Sequence, residues 1–312
     1  MQGKTQLKGA ILLLLTALVW GVSFTAQSKG MQSVQAFTFN GIRMTMGAVV
    51  LTPVILIRDR LAAKKLTPQQ KTEKKKADRK ALLHGALLGV VFFIASNIQQ
   101  HAFLYTGSGK IAFITALYIF FVPMLGLFIK KRTPLLTWLC VILGFAGLYF
   151  LCVDPKDMSE INKGDLLAIG CAAVFAVHIL MIEKFTAKSD GLRLSAMQFL
   201  VGGILSTAAM FIFEKPSISG ITDAAIPLLY AGIMSCGVAY TLQIIGQKYT
   251  EATVASLLLC MESVFGVIAA AIILGEKLTV RELIGCAIMF GAIILSQFSE
   301  KITRSRANKK AA

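Results

Sequence analysis

The stretch YTEATVASLLLCMESVFGVIAAAIILGEKLTVRELIGCAIMFGAIILSQFS, Tyr249–Ser299, decides the fold. A polar hinge (Tyr249, Thr250, Glu251) leads into an apolar run from Thr253 to Leu274. A Gly275-Glu276-Lys277 turn follows, then a second apolar run to Phe298. Runs of about twenty apolar residues match the roughly 30 Å hydrocarbon core of a bilayer at about 1.5 Å rise per residue. Near the middle of the first run stands one carboxylate, Glu262, between Met261 and Ser263. The pattern has a weaker echo in Tyr105–Leu151, where Tyr105/Tyr249, Thr106/Thr250, Phe121/Phe265 and Gly147/Gly291 are identical pairs.

The rest of the chain reads the same way. Of 312 residues, 56% are hydrophobic and 15% charged, with a mean hydropathy of +0.71. A soluble domain would carry about 25% charge, so the chain is a multi-pass protein of the cytoplasmic membrane. Ten spans are expected, near 9–27, 36–57, 82–103, 111–130, 134–152, 164–183, 194–213, 226–246, 253–274 and 280–298. The first resembles a signal peptide. Its counterpart 155 residues on, with identical pairs such as Gly9/Gly164, Ala17/Ala172 and Val22/Val177, places it in the body of the protein instead.

Two repeats of five spans emerge, over residues 1–153 and 160–300, with a basic tail at 301–312. Their offset is 155 in the first two spans of each half and 144 afterwards. The loop 58–80 is longer than its counterpart 214–225 by that same difference. An odd number of spans per repeat makes the second half enter the membrane upside down. Lysine and arginine placement sets the orientation. With the N-terminus inside, 24 lie in cytoplasmic segments, ten of them in 58–80, and seven lie outside. Both termini are therefore expected in the cytoplasm. Inverted repeats are a transporter architecture with substrate bound between the halves near the midplane.

The net charge of +16 points to no nucleic acid, because the 58–80 loop is short and carries no aromatic residue for base stacking. A cytoplasmic retention signal that touches anionic lipid accounts for it. The six cysteines lie in apolar runs without a CxxC pair or Cys/His cluster, and read as packing residues. No cofactor, metal or catalytic site is expected, and no nucleotide-binding GxxxxGK[ST] loop occurs.

Trp20-Gly21-Val22-Ser23-Phe24 and Arg43 within Phe39-Asn40-Gly41-Ile42-Arg43 carry the first part of a resemblance. Leu117-Tyr118-Ile119-Phe120-Phe121-Val122-Pro123, and Glu262-Ser263-Val264-Phe265 followed by Leu274-Gly275-Glu276, carry the second. With these motifs in this order the chain resembles the drug/metabolite transporter superfamily, EamA type. Ser263 stands where that family often has proline, and span four ends in Lys131-Arg132 where Gly-Glu would match. The resemblance implies a ten-helix transporter of amino acids, other metabolites or drugs.

Glu262 is the first candidate for chemistry. A carboxylate at mid-bilayer costs several kcal/mol and faces a partner or a wet cavity. It either binds a cationic group and exchanges a proton, or ties two helices together. Arg43 either holds a substrate carboxylate or snorkels toward helix-end carbonyls. Asn97, Gln100 and His101 share one helical face in span three, which suits a cavity wall or an interhelical seam. Trp20, Ser23 and Gln27 in span one, and Tyr240 and Gln243 in span eight, suit a cavity for a small amphipathic molecule or plain packing. Tyr118 occupies the repeat position of Glu262, and lone His178 reads as a relay or a satisfied interhelical residue. Spans five and ten hold no ionisable interior residue, and Ala287 and Gly291 offer a small-residue face for a homodimer.

The expected activity is secondary active export of an amino-acid-like or drug-like metabolite by alternating access with proton coupling. Its rivals are a membrane-embedded enzyme acting on lipid-linked substrates, for which no HExxH or GxSxG motif is present, and a non-transporting structural or sensory protein.

Overall fold

The computed structural model describes the backbone of residues 2–63, 66–131, 133–152, 161–274 and 279–311, and the side chains of 6–63, 66–131, 133–152, 161–269 and 279–296. Arg132 and the Gly275-Glu276-Lys277 turn lie outside the described residues.

Every element among the described residues is helical, as a water-free bilayer requires of an open chain. The first half comprises α1 (Gln2–Gly30), α2 (Ala36–Ala63), α3 (Pro68–Ala102), α4 (Ser108–Thr115), α5 (Tyr118–Phe128) and α6 (Leu135–Cys152). The second comprises α7 (Lys163–Thr186), α8 (Gly191–Phe213), α9 (Ile218–Asp223), α10 (Ala225–Leu229), a π-helical stretch Tyr230–Ala239, α11 (Tyr240–Gln247), α12 (Ala252–Leu259), α13 (Met261–Leu274) and α14 (Val280–Ala311). Among the described residues nine stretches are long and apolar enough to cross a membrane, and the tenth expected span falls in α14.

Three expectations change. The segment 58–80 is not a loop: α2 runs on to Ala63, and α3 begins at Pro68 under a Thr67–Gln70 capping box with proline in its first turn. The residues 301–312, expected as a tail, continue α14 to Ala311. Spans four and nine are each interrupted, between α4 and α5 and between α12 and α13. There the hydrogen-bond ladder tightens from i−4 to i−3, as in Ile119 N–H to Ala116 O at 3.0 Å and Ser263 N–H to Cys260 O at 3.2 Å.

Packing pairs each helix with its repeat counterpart, or exchanges counterparts. Helix α2 packs on α8 and α6 on α14, while α3–α7 and α5–α7 mirror α1–α11 and α1–α13. Helices α2 and α8 run antiparallel. At one end of the α2–α8 pair, Glu214 accepts the backbone N–H groups of Phe37 and Thr38, each at 2.7 Å. At the other end Asp59 pairs with Arg193, and Arg58 forks onto Asp190 at 2.9 Å. Thr38 and Arg193 are repeat equivalents, as are Asp59 and Glu214, so the two clamps are one device used twice.

The α6–α14 pair approaches closely at Gly147, where a Cβ would stand 3.0 Å from the Gly285 carbonyl. Gly147 thus packs inside the chain. Ala287 and Gly291 face outward, which leaves their side of α14 for the proposed contact with a second copy.

Candidate functional site

Two interruptions meet at the centre of the molecule. The Tyr118 hydroxyl, on the first residue of α5, donates to Glu262 Oε1 at 3.3 Å. Cys260 Sγ lies 3.9 Å from the Ala116 carbonyl. Each contact joins residues 144 apart, the repeat offset of these spans. Equivalent residues that touch each other lie beside the pseudo-two-fold axis.

A cavity surrounds this point, with about 490 Å³ of space between atoms, open solvent included; about 40 Å³ of it admits the centre of a water molecule. Its walls come in equivalent pairs: Trp20 with Phe175, Phe24 with Ile179, Gln99 with Gln243, Thr115 with Leu259, and Tyr118 with Glu262. Arg43, Ser23, Gln27, Ser235 and Tyr240 complete them. The Trp20 and Tyr240 rings pack at 4.4 Å between centroids, joining α1 to α11. Trp20 Nε1, Ser23 Oγ, Gln27 Oε1 and Gln243 Oε1 are buried without a hydrogen-bond partner among the described residues. Buried polar groups are normally paired, so four such atoms in one chamber mark a place for water or a polar ligand.

The charges break the symmetry. Glu262 is 3% exposed and sits in the first turn of α13, where the positive end of the helix dipole favours a carboxylate. Arg43 is 2% exposed; its Nε donates to Asn40 Oδ1 at 2.7 Å and its guanidinium lies 5.8 Å from the Phe39 ring centroid. Arg43 belongs to the first half and Glu262 to the second, and both line the same cavity. Their equivalents are neutral, Gln198 and Tyr118.

The sequence profile of the EamA-like transporter family matches this chain twice, over residues 7–153 and 162–298. The chain belongs to the EamA-like transporter family. An uncharacterized transporter of Archaeoglobus fulgidus is 26% identical over 295 residues, covering 94% of this chain and 87% of its own length. The uncharacterized transporter YoaV of Bacillus subtilis is 22% identical over 293 residues, with coverage of 92% and 96%. The threonine/homoserine exporter RhtA of Escherichia coli is 26% identical over 193 residues, with coverage of 59% and 60%. A solved crystal structure superposes with a TM-score of 0.75 over 94% of this chain and 98% of its own, at 17% identity, and so shares the fold. The protein is a membrane transporter, which removes the lipid-enzyme and structural rivals.

Within this EamA-family chain, eight of the residues singled out from sequence line the cavity: Glu262, Arg43, Tyr118, Trp20, Ser23, Gln27, Tyr240 and Gln243. Four lie elsewhere. His101 Nδ1 pairs with the Asn97 carbonyl at 2.7 Å. Asn97 stands behind Arg43, accepting from Asn40 Nδ2 at 2.9 Å and donating to Ser206 Oγ at 2.9 Å. His178 Nε2 pairs with Gln198 Oε1 at 2.7 Å, an interhelical bond rather than a cavity contact. Gln100 is fully buried away from the lining, and Gln99 occupies the wall. The repeat held the signal for Gln99, because it is the counterpart of Gln243, and likewise for Phe175 through Trp20.

Proposed function

We propose that this transporter exports a small zwitterionic, amino-acid-like metabolite across the cytoplasmic membrane, in exchange for protons. One observation carries the reading: a cation from one half and an anion from the other line a single buried cavity on the pseudo-two-fold axis. A guanidinium offers forked donors to a carboxylate, and a carboxylate receives an ammonium group. An amino acid presents both charges a few ångströms apart. The exporter of threonine and homoserine among the relatives supports the class of cargo.

Alternating access follows from rocking of the halves about the axis, with the tightened turns at Ala116–Leu117 and Cys260 as flexing points. Tyr118 O–H donates to Glu262. The arriving ammonium displaces that contact, and a proton carried by Glu262 leaves as the cation binds. The face carrying residues 58–80 is cytoplasmic in this reading, because most lysines and arginines lie there.

The test is L-threonine transport in proteoliposomes under an imposed pH gradient. Glu262→Gln is expected to abolish gradient-driven accumulation. Full transport with unchanged pH dependence in that variant overturns the role of Glu262.

A further inference from the structure

The residues behind Arg43 form a buried, directional hydrogen-bond chain. Arg43 Nε donates to Asn40 Oδ1 at 2.7 Å; Asn40 Nδ2 donates to Asn97 Oδ1 at 2.9 Å and to the Ser96 carbonyl at 3.0 Å. Asn97 Nδ2 donates to the Phe93 carbonyl at 2.8 Å and to Ser206 Oγ at 2.9 Å. Asn40 is 0% and Asn97 5% exposed. Neither amide can be turned over. An arginine nitrogen only donates and a backbone carbonyl only accepts, so Asn40 must aim its oxygen at Arg43 and its nitrogen at Ser96.

The second half contains the same link without its extension. Ser195 and Thr241 occupy the repeat positions of Asn40 and Asn97, and their hydroxyls meet at 2.7 Å. Gln198, at the position of Arg43, turns to His178 instead. A bond between these two helices is therefore common to both halves. Only the first half builds it from amides, whose second functional atom reaches one bond further to a cation.

We propose that Asn40 and Asn97 are positioning residues for transport. Asn40, held in turn by Asn97, binds the Nε side of the Arg43 guanidinium, so that its terminal nitrogens are left to the cavity and to the carboxylate of the cargo. This rests on the reading of Arg43 as the carboxylate-binding group. Asn40 and Asn97 set how tightly a carboxylate is held, and through it the preference for an acid over its ester.

The experiment measures KM and Vmax for L-threonine and L-threonine methyl ester in proteoliposomes. The double variant Asn40→Ser/Asn97→Thr copies the Ser195–Thr241 link, so the helices stay bonded while Arg43 loses its acceptor. KM for threonine is expected to rise about tenfold, the size of one lost hydrogen bond to a charged group. KM for the ester and both Vmax values stay unchanged, and Arg43→Gln loses the same acid-over-ester preference. Asn97→Ser, read the same way, serves where the double variant does not insert, and it shifts KM in the same direction. A purely structural role lowers Vmax for both compounds and keeps the preference, which overturns the proposal. Preference lost in Arg43→Gln but kept in the double variant overturns it alone. Preference kept in Arg43→Gln, or no threonine transport by the unmodified protein, overturns the underlying reading of Arg43 and this proposal with it.

Discussion

Replacing Gly21 by alanine tests whether the contact between α1 and α13 positions Glu262. A Cβ at Gly21 would stand 2.7 Å from the Glu262 carbonyl oxygen, 2.7 Å from Gly266 N and 3.0 Å from the Phe265 carbonyl carbon. All three are backbone atoms, so no side chain can swing away. Restoring ordinary contact at about 3.5 Å separates the helices by nearly 1 Å. Such overpacking costs about 1–3 kcal/mol. The Tyr118–Glu262 bond is already 3.3 Å long, so a displacement of that size breaks it. Gly21→Ala is expected to lower the thermal midpoint of the purified protein in detergent and to lower its threonine transport in proteoliposomes. The control is Gly170→Ala. A Cβ there meets nothing within 4 Å, and alanine favours a helix over glycine by about 1 kcal/mol, so neither quantity falls. A Gly21→Ala protein with unaltered midpoint and transport refutes the argument that this approach holds the carboxylate in place.

The clamps at the ends of α2 and α8 make two further predictions. Glu214→Gln keeps one of the two acceptor oxygens at Phe37 and Thr38, sets an amide NH2 against the other backbone N–H, and removes a charge from the N-terminus of α2. Its thermal midpoint falls by an amount equivalent to about 0.5–2 kcal/mol; no fall in a detergent melt contradicts the capping role. At the other end, partial burial pushes the Asp190 carboxyl up, but the Arg58 fork and the Arg193 N–H outweigh it and hold it below its ordinary value. A folded-state pKa below the unfolded one means that the stability it confers is present above about pH 4 and lost as pH falls through the folded value. Asp190→Asn is therefore less stable than the parent at pH 7, and the gap closes on acidification below pH ~4. A gap that stays constant across a pH series of melts removes the ion pair from the account.

Much of this molecule was legible in its sequence because the bilayer leaves few choices. Runs of twenty apolar residues can only span, and an odd number of spans per repeat can only invert the second copy. The motifs around Trp20, Arg43, Tyr118 and Glu262 indicated the family, which the match over residues 7–153 and 162–298 then established. Isolated polar residues in apolar runs also pointed at the cavity, since burying them without purpose is costly. Local pattern ran out at three kinds of feature. No glycine or proline marks the turns at Ala116–Leu117 and Cys260, so periodicity reads straight through both. The charged segment 58–80 looked like a loop by composition, yet Asp59 and Asp78 pair with Arg193 and extend two helices beyond the apolar core. Asn97 and Gln100 share a face with His101, but helical spacing does not say whether a face meets a cavity or another helix.

The sequence by itself determined the span count, the repeats and the short list of residues able to do chemistry, because those follow from hydrophobic length and from the cost of buried charge. Only the tertiary structure decided that Arg43 and Glu262 share one chamber, that Gln99 lines its wall where Gln100 does not, and that Asn97 stands behind Arg43 through Asn40. Those facts depend on which helices meet across the axis, and contacts between residues more than a hundred positions apart leave no trace in local spacing.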